Sequence, residues 1–167
     1  MVKSGIKVDE RLKNLYNSFH LGKINGFKFT IEDSKFIVDE SSILPNDHET
    51  PFHTLMLADL SDSKACFMAI NISFRDTEGK TIKKPMLFVW CSDEASIRQK
   101  MVLASSVAGV KISLGVQEDC LLEVHGRDEQ CVDSVFGRII GKRAKPALFE
   151  NKVISYDRDT NTYSLLD

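Results

Sequence analysis

Two apolar runs, ACFMAINISF at 65–74 and PMLFVWC at 85–91, stand either side of the polar segment DTEGK. The pattern reads as a long β-hairpin turning at 76–80. Its strands are apolar at nearly every position, so both of their faces need cover, and they belong at the centre of a sheet packed between other layers. The rest of the chain can supply that cover. Asp9 and Glu10 open an acidic first turn, after which Leu12, Leu15, Tyr16 and Phe19 recur at helical spacing up to Gly22. Phe27, Phe29 and Ile31 then alternate, Asp33-Ser34 can turn, and Phe36-Ile37-Val38 resumes, which predicts a second hairpin. Residues 41–63, with Pro45, Asn46, Asp47 and Pro51, read as a loop around a short helix at 52–57.

After the central hairpin, Ser92 is the expected N-cap of the longest helix, with Asp93 and Glu94 in its first turn. Ile97, Met101, Ala104, Ala108 and Ile112 share one face of that helix, and Gly115 stops it. A strand at 120–124, a helix at 131–140 and a last hairpin through Val153-Ile154-Ser155-Tyr156 and Tyr163-Ser164-Leu165-Leu166 complete the order. Helices interrupting mostly hairpin-connected strands predict an α/β (α+β) domain: a central mixed β-sheet of five to six strands sandwiched between helices. At 167 residues one domain is expected over 1–167, with its core at 4–143 and a C-terminal extension at 144–167.

With 22 basic against 24 acidic residues and a pI near 6.1, the chain lacks the global positive field that draws proteins to nucleic acid. Charge-driven binding must therefore use local patches. The start MVKSGIKVDERL has no apolar signal region and no run approaches a bilayer span, so a cytoplasmic protein without a transmembrane segment is expected. Cys66, Cys91, Cys120 and Cys131 stand singly, away from zinc-type spacing, and read as reduced thiols. His20, His48, His53 and His125 make no metal spacing, and no nucleophile-elbow, Walker or dinucleotide glycine pattern occurs. Neither an enzyme, a metal nor a cofactor is expected. Three basic groups remain, each with a plain explanation. Lys80, Lys83 and Lys84 around the hairpin tip would protect an edge and aid solubility. Arg98 and Lys100, two apart, flank the long helix and form no single stripe. Arg138, Lys142, Arg143 and Lys145 suit the negative end of the last helix.

The segment WCSDEASIRQKMVLASS, residues 90–106, closely resembles the signature of the actin-depolymerising factor/cofilin family: a strand-ending Trp, an acidic helix start, then basic-x-Lys-Met-x-x-Ala-Ser-Ser. Ser4-Gly5-Ile6, Leu21-Gly22-Lys23 and Lys64-Ala65-Cys66 agree in order. The resemblance covers residue 4 to about 143, and Val153-Ile154-Ser155 looks like the family's C-terminal strand. It implies the ADF-homology fold and a monomer that binds G-actin and F-actin in the cytoplasm, preferring the ADP form, and that severs and depolymerises filaments. Arg98, Lys100 and Met101, with Ser4, Gly5 and Ile6 beside them, would contact both monomer and filament. Lys80, Lys83, Lys84 and Arg138, with Lys142 and Arg143 as neighbours, would form a second, filament-only site. Ser4 matches the family's regulatory phosphorylation site. The alternative within the fold is a non-severing protein, coactosin-like or glia-maturation-factor-like.

Several positions depart from the family pattern. Ser92 replaces a proline, Leu103 stands where an aromatic is common, and Met68 and Asn71 replace aromatics of the central strand. The 41–63 loop and the tail after Arg143 are longer than in compact relatives. The basic nuclear-import run is missing between Gly22 and Phe29. Of the phosphoinositide-binding lysines that follow the long helix in some relatives, Lys111 alone precedes Gly115.

Overall fold

The computed structural model describes residues 8–32, 35–52, 54–55, 65–76, 78–92, 95–124, 146–150, 152–157 and 162–166. The expected helix at 131–140 lies outside them. Helix α1 spans Glu10–His20 and is capped by Asp9, whose carboxylate accepts the Leu12 N–H at 2.9 Å. Leu12, Tyr16 and Phe19, spaced by four and three, are its buried face. Gly22, at φ 79°, turns the chain into β1, Ile24–Glu32.

β1 pairs antiparallel with β2, Lys35–Pro45. The strand thus continues four residues past Ser41, where a loop was expected. The ladder survives because it is irregular there: Lys28 faces Asp39 but Gly26 faces Leu44. Ser42 fills the bulge, accepting the Lys28 N–H at 2.7 Å and donating to the Asp39 carbonyl at 2.6 Å. The polar Ser41-Ser42 pair that resembled a loop is what lets the strand bend. Gly26 is required by close approach, since a Cβ there would sit 2.7 Å from Leu55 Cδ1 and 2.8 Å from the Ala69 carbonyl oxygen. The expected short helix is represented by helical turns at 51–52 and 54–55, with Thr54 N–H bonded to the Thr50 carbonyl at 3.0 Å.

The central hairpin is β3, Ala65–Asp76, and β4, Thr81–Cys91, in continuous register from Ala65↔Cys91 to Arg75↔Thr81. Both strands reach closer to the turn than the apolar runs alone indicated. Helix α2, Ile97–Leu114, and a 3-10 turn at Glu118–Cys120 carry the chain to β5, Leu121–Val124, parallel to β4. A parallel pair needs such a crossover, which is why the longest helix lies between those two strands. The order β2-β1-β3-β4-β5 is the mixed core of an eight-stranded sheet, against the five to six strands that the pattern predicted.

One sheet face packs on both helices through Phe19, Phe27, Phe29, Phe67, Ala69, Leu87, Val89, Leu103 and Val110, all buried. Phe29 and Phe67 stack at 4.9 Å, with Phe27 5.7 Å from Phe29. On the other face Met68, Ile70, Ile72, Met86, Phe88 and Trp90 are also buried, with Phe52 6.1 Å from Phe88. Met68, in place of an aromatic, is fully buried there. Asn71 is accommodated differently, its amide donating to the Ile24 carbonyl at 3.1 Å and so pinning the entry to β1.

Three further strands extend the sheet: β6, Pro146–Phe149, which the sequence pattern did not suggest, and the expected last hairpin, β7 at Lys152–Asp157 with β8 at Thr162–Leu166. β1 occupies β3 at residues 67–70, and β6 joins the same edge farther along, at Phe74↔Phe149 and Arg75↔Leu148.

Candidate functional site

Helix α2 begins four residues later than expected. Ser96, not Ser92, is its N-cap: Ser96 Oγ accepts the Gln99 N–H at 3.1 Å while Gln99 Oε1 accepts the Ser96 N–H at 2.9 Å. Only Ser96 has a glutamine three residues on, which completes a capping box; Ser92 is followed at that distance by Ala95. Ser92 is instead buried, and its carbonyl accepts the Ala95 N–H at 3.0 Å. Gly115, left-handed at φ 68°, ends the helix as expected.

The helix is apolar on two faces. Leu103, Ser106 and Val110 are buried against the sheet, Leu103 at 5% exposure in the place of an aromatic. Ser106 is tolerated there because its hydroxyl donates to the Val102 carbonyl at 2.8 Å. The other apolar face is the expected set Ile97, Met101, Ala104, Ala108 and Ile112, and it points to solvent: Ile97 is 77%, Met101 66% and Ile112 80% exposed. At about 100° per residue these five fall within a sector of roughly 80°. Arg98 and Lys100 then lie about 80° to either side of its midline. The two cations that made no stripe of their own therefore border an apolar one. Arg98 is exposed and Lys100 half-buried.

The hairpin lysines separate. Lys80 is exposed beside the turn, where Gly79 takes φ 81°. Lys83 and Lys84 lie inside β4, opposite Ser73 and Ile72, so as successive strand residues they face opposite sides of the sheet. Lys83 is exposed and Lys84 half-buried. Lys111 pairs with the Glu118 carboxylate, so this lysine is engaged within the domain. Ser4, Gly5, Ile6, Arg138, Lys142 and Arg143 lie outside the described residues.

Between the C-terminal ends of α1 and α2 is a cleft lined by Lys13, Tyr16, His20 and Leu114. Burial pushes the Tyr16 hydroxyl up to about 12, with a smaller contribution from Cys120. Among the described residues no cluster of His, Cys, Asp or Glu could hold a metal, and no helix is long and apolar enough to cross a membrane.

Helix α2 thus carries a solvent-facing apolar stripe bordered by cations, the composition that macromolecule-binding surfaces share. The family model described as cofilin/tropomyosin-type actin-binding protein matches residues 5–138, and the chain belongs to this family of actin-binding proteins. It is 31% identical over 147 residues to cofilin of Saccharomyces cerevisiae, covering 83% of this chain and 95% of that protein. It is 30% identical over 123 residues to actin-depolymerizing factor 2, isoform c, of Caenorhabditis elegans, covering 68% and 80%. Twinfilin of Anopheles gambiae is 26% identical over 113 residues, 68% of this chain, which spans only 32% of that protein's length. The crystal structure of Plasmodium berghei actin depolymerization factor 2 shares the fold, with TM-score 0.65 at 18% identity over 75% of this chain and 89% of that one.

Proposed function

We propose that this domain binds both monomeric and filamentous actin through the outward face of α2, and severs and depolymerises filaments. The observation that carries the reading is the exposed Ile97, Met101 and Ile112 stripe with Arg98 and Lys100 at its borders. An apolar anchor that enters a cleft supplies residence time, while bordering cations orient the approach to an acidic surface. Ser4, Gly5 and Ile6 extend this contact. Lys80, Lys83 and Lys84 of the hairpin, with Arg138, Lys142 and Arg143, engage a second subunit in the filament only.

Severing on this reading is mechanical. Binding two neighbouring subunits at once favours a filament conformation whose subunit contacts are weaker, a population shift driven by differential affinity. Preference for ADP-actin directs the effect to older filament, and phosphorylation of Ser4 releases the protein from actin. The protein works as a monomer in the cytoplasm.

The test is Arg98→Ala with Lys100→Ala, measured by filament cosedimentation, by supernatant actin and by monomer binding. We expect a folded protein with both affinities reduced about thirtyfold, roughly 2 kcal/mol lost in all from the two cations that border the stripe. Wild-type affinity for monomer and filament in the folded double variant refutes the assignment.

A further inference from the structure

The two segments that are longer than in compact relatives meet each other. β1 leaves the edge of β3 at Gly26↔Ile70, and β6 takes that edge over at residues 74–76, so the distal part of the β3–β4 hairpin is splinted by the C-terminal extension. The chain turns out of β6 at Glu150, which holds a left-handed φ of 46°, where glycine would carry no strain. Its side chain has a use there: Oε1 accepts the Phe52 N–H at 2.7 Å across 98 residues of sequence. Phe52 lies in the first turn of a helical segment that begins at Pro51, where backbone N–H groups lack intrahelical acceptors, and a carboxylate is a strong acceptor for one. The same loop is held from the other side by Asn25, whose amide donates to the Asn46 and His48 carbonyls at 3.1 and 2.8 Å. Between loop and hairpin lies an open cleft of about 350 Å³, with Arg75 and Lys83 on the hairpin wall, Asp47 and Glu49 on the loop wall, and Glu150 among its lining.

We infer that Glu150 is a positioning residue for filament binding: it locks the 46–52 loop to the β3–β4 hairpin, so that both are presented to the second filament subunit as one composite surface. This rests on the reading of the hairpin as the filament-side contact. Arg75 and Lys83 lie along one wall while the loop supplies acidic groups along the other, which suits a partner surface of mixed charge. Rigid spacing of the two walls decides whether both engage at once, and a latch that removes their relative motion lowers the ordering entropy of binding.

The test uses the full chain in two variants. Glu150→Gly removes the acceptor and relaxes the backbone, whereas Glu150→Gln keeps an oxygen acceptor in place. We expect Glu150→Gly to melt cooperatively and to bind monomeric actin as wild type, while its filament affinity falls about fivefold, the scale of the net contribution of one ordinary hydrogen bond. Amide exchange at Phe52 and along residues 81–84 should rise in that variant, and Glu150→Gln should restore both readouts. Unchanged exchange, or equal losses toward monomer and filament, overturns the inference. Wild-type filament binding by Glu150→Gly beside a weakened Lys83→Ala/Lys84→Ala variant also overturns it, while the hairpin reading stands. If the lysine variant binds filaments normally, the hairpin reading falls and the inference with it.

Discussion

Met101 and Leu103 are two residues apart on α2 and should respond oppositely to the same truncation. Met101 is 66% exposed and Leu103 5%. Burying a whole methionine side chain is worth about 1.5–3 kcal/mol, and two thirds of that remains to be gained when Met101 meets a partner, about 1–2 kcal/mol. Met101→Ala should therefore weaken actin binding about five- to thirtyfold. Its effect on stability should stay within about 0.5 kcal/mol, as for other exposed sites. Leu103→Ala opens a cavity against the sheet and should cost about 2–5 kcal/mol of stability. In a domain of this size that lowers the melting temperature by about 5–15 °C. At a temperature where it is still folded, Leu103→Ala should bind actin nearly as wild type. The assay is a thermal melt paired with cosedimentation and monomer binding for both variants. Binding loss that tracks stability loss, in either variant, would refute the division of α2 into a core face and a binding face.

Replacing Lys83 and Lys84 together by Ala should weaken filament binding and severing while sparing monomer; equal losses toward both would show that the two-site map is wrong. Ser4→Glu should lose most binding to monomer and filament without a change in melting temperature, and Ser4→Ala should bind as wild type, because a negative charge opposes an acidic partner surface. Tyr16 titrates near 12 in the folded chain against 10.0 for its ordinary value, so its contribution is intact below pH 10 and lost as pH rises toward 12. Tyr16→Phe should abolish that part of the alkaline decline, about 2–3 kcal/mol, in denaturation midpoints taken from pH 8 to 12.

The central hairpin was legible because apolar residues on both faces leave a strand few places to go, and α1 because Leu12, Tyr16 and Phe19 mark one face only. Helix α2 was legible as a helix but not in its orientation. Periodicity located the set Ile97, Met101, Ala104, Ala108 and Ile112, yet Leu103, Val107 and Val110 form a second apolar face. Only the sheet's position decides which is buried. The start of the helix could have been found, since Ser96 and Gln99 carry a capping box in the sequence itself. β6 and the Glu150 contact could not. Four residues opening with proline give little strand signal, and a bond between Glu150 and Phe52 exists only once the chain has folded. The expectation of a loop at Ser41, where β2 in fact continues, has a local cause: the Asp39 carboxylate accepts the Ser41 N–H and hydroxyl, and the Ser42 hydroxyl donates to the Asp39 carbonyl, turn-like bonds made within the strand.

The two proposed contacts differ in physical character, and salt should separate them. The α2 face presents Ile97, Met101 and Ile112 with cations only at its borders, so once docked it is held chiefly by apolar burial. Border charges act mainly on the approach, and ions screen them over about 8–10 Å at physiological ionic strength. The hairpin presents Lys80 and Lys83 to solvent, with Arg75 nearby and also exposed, so a larger share of its interaction is screened. Raising salt should therefore weaken filament binding more steeply than monomer binding, and within the monomer complex it should slow association while leaving dissociation nearly unchanged. Stopped-flow association and dissociation rates, taken with cosedimentation across a salt series, measure both slopes. Parallel slopes for monomer and filament would mean that one surface serves both, and a dissociation rate that climbs with salt would mean that the cations, not the apolar stripe, hold the complex together.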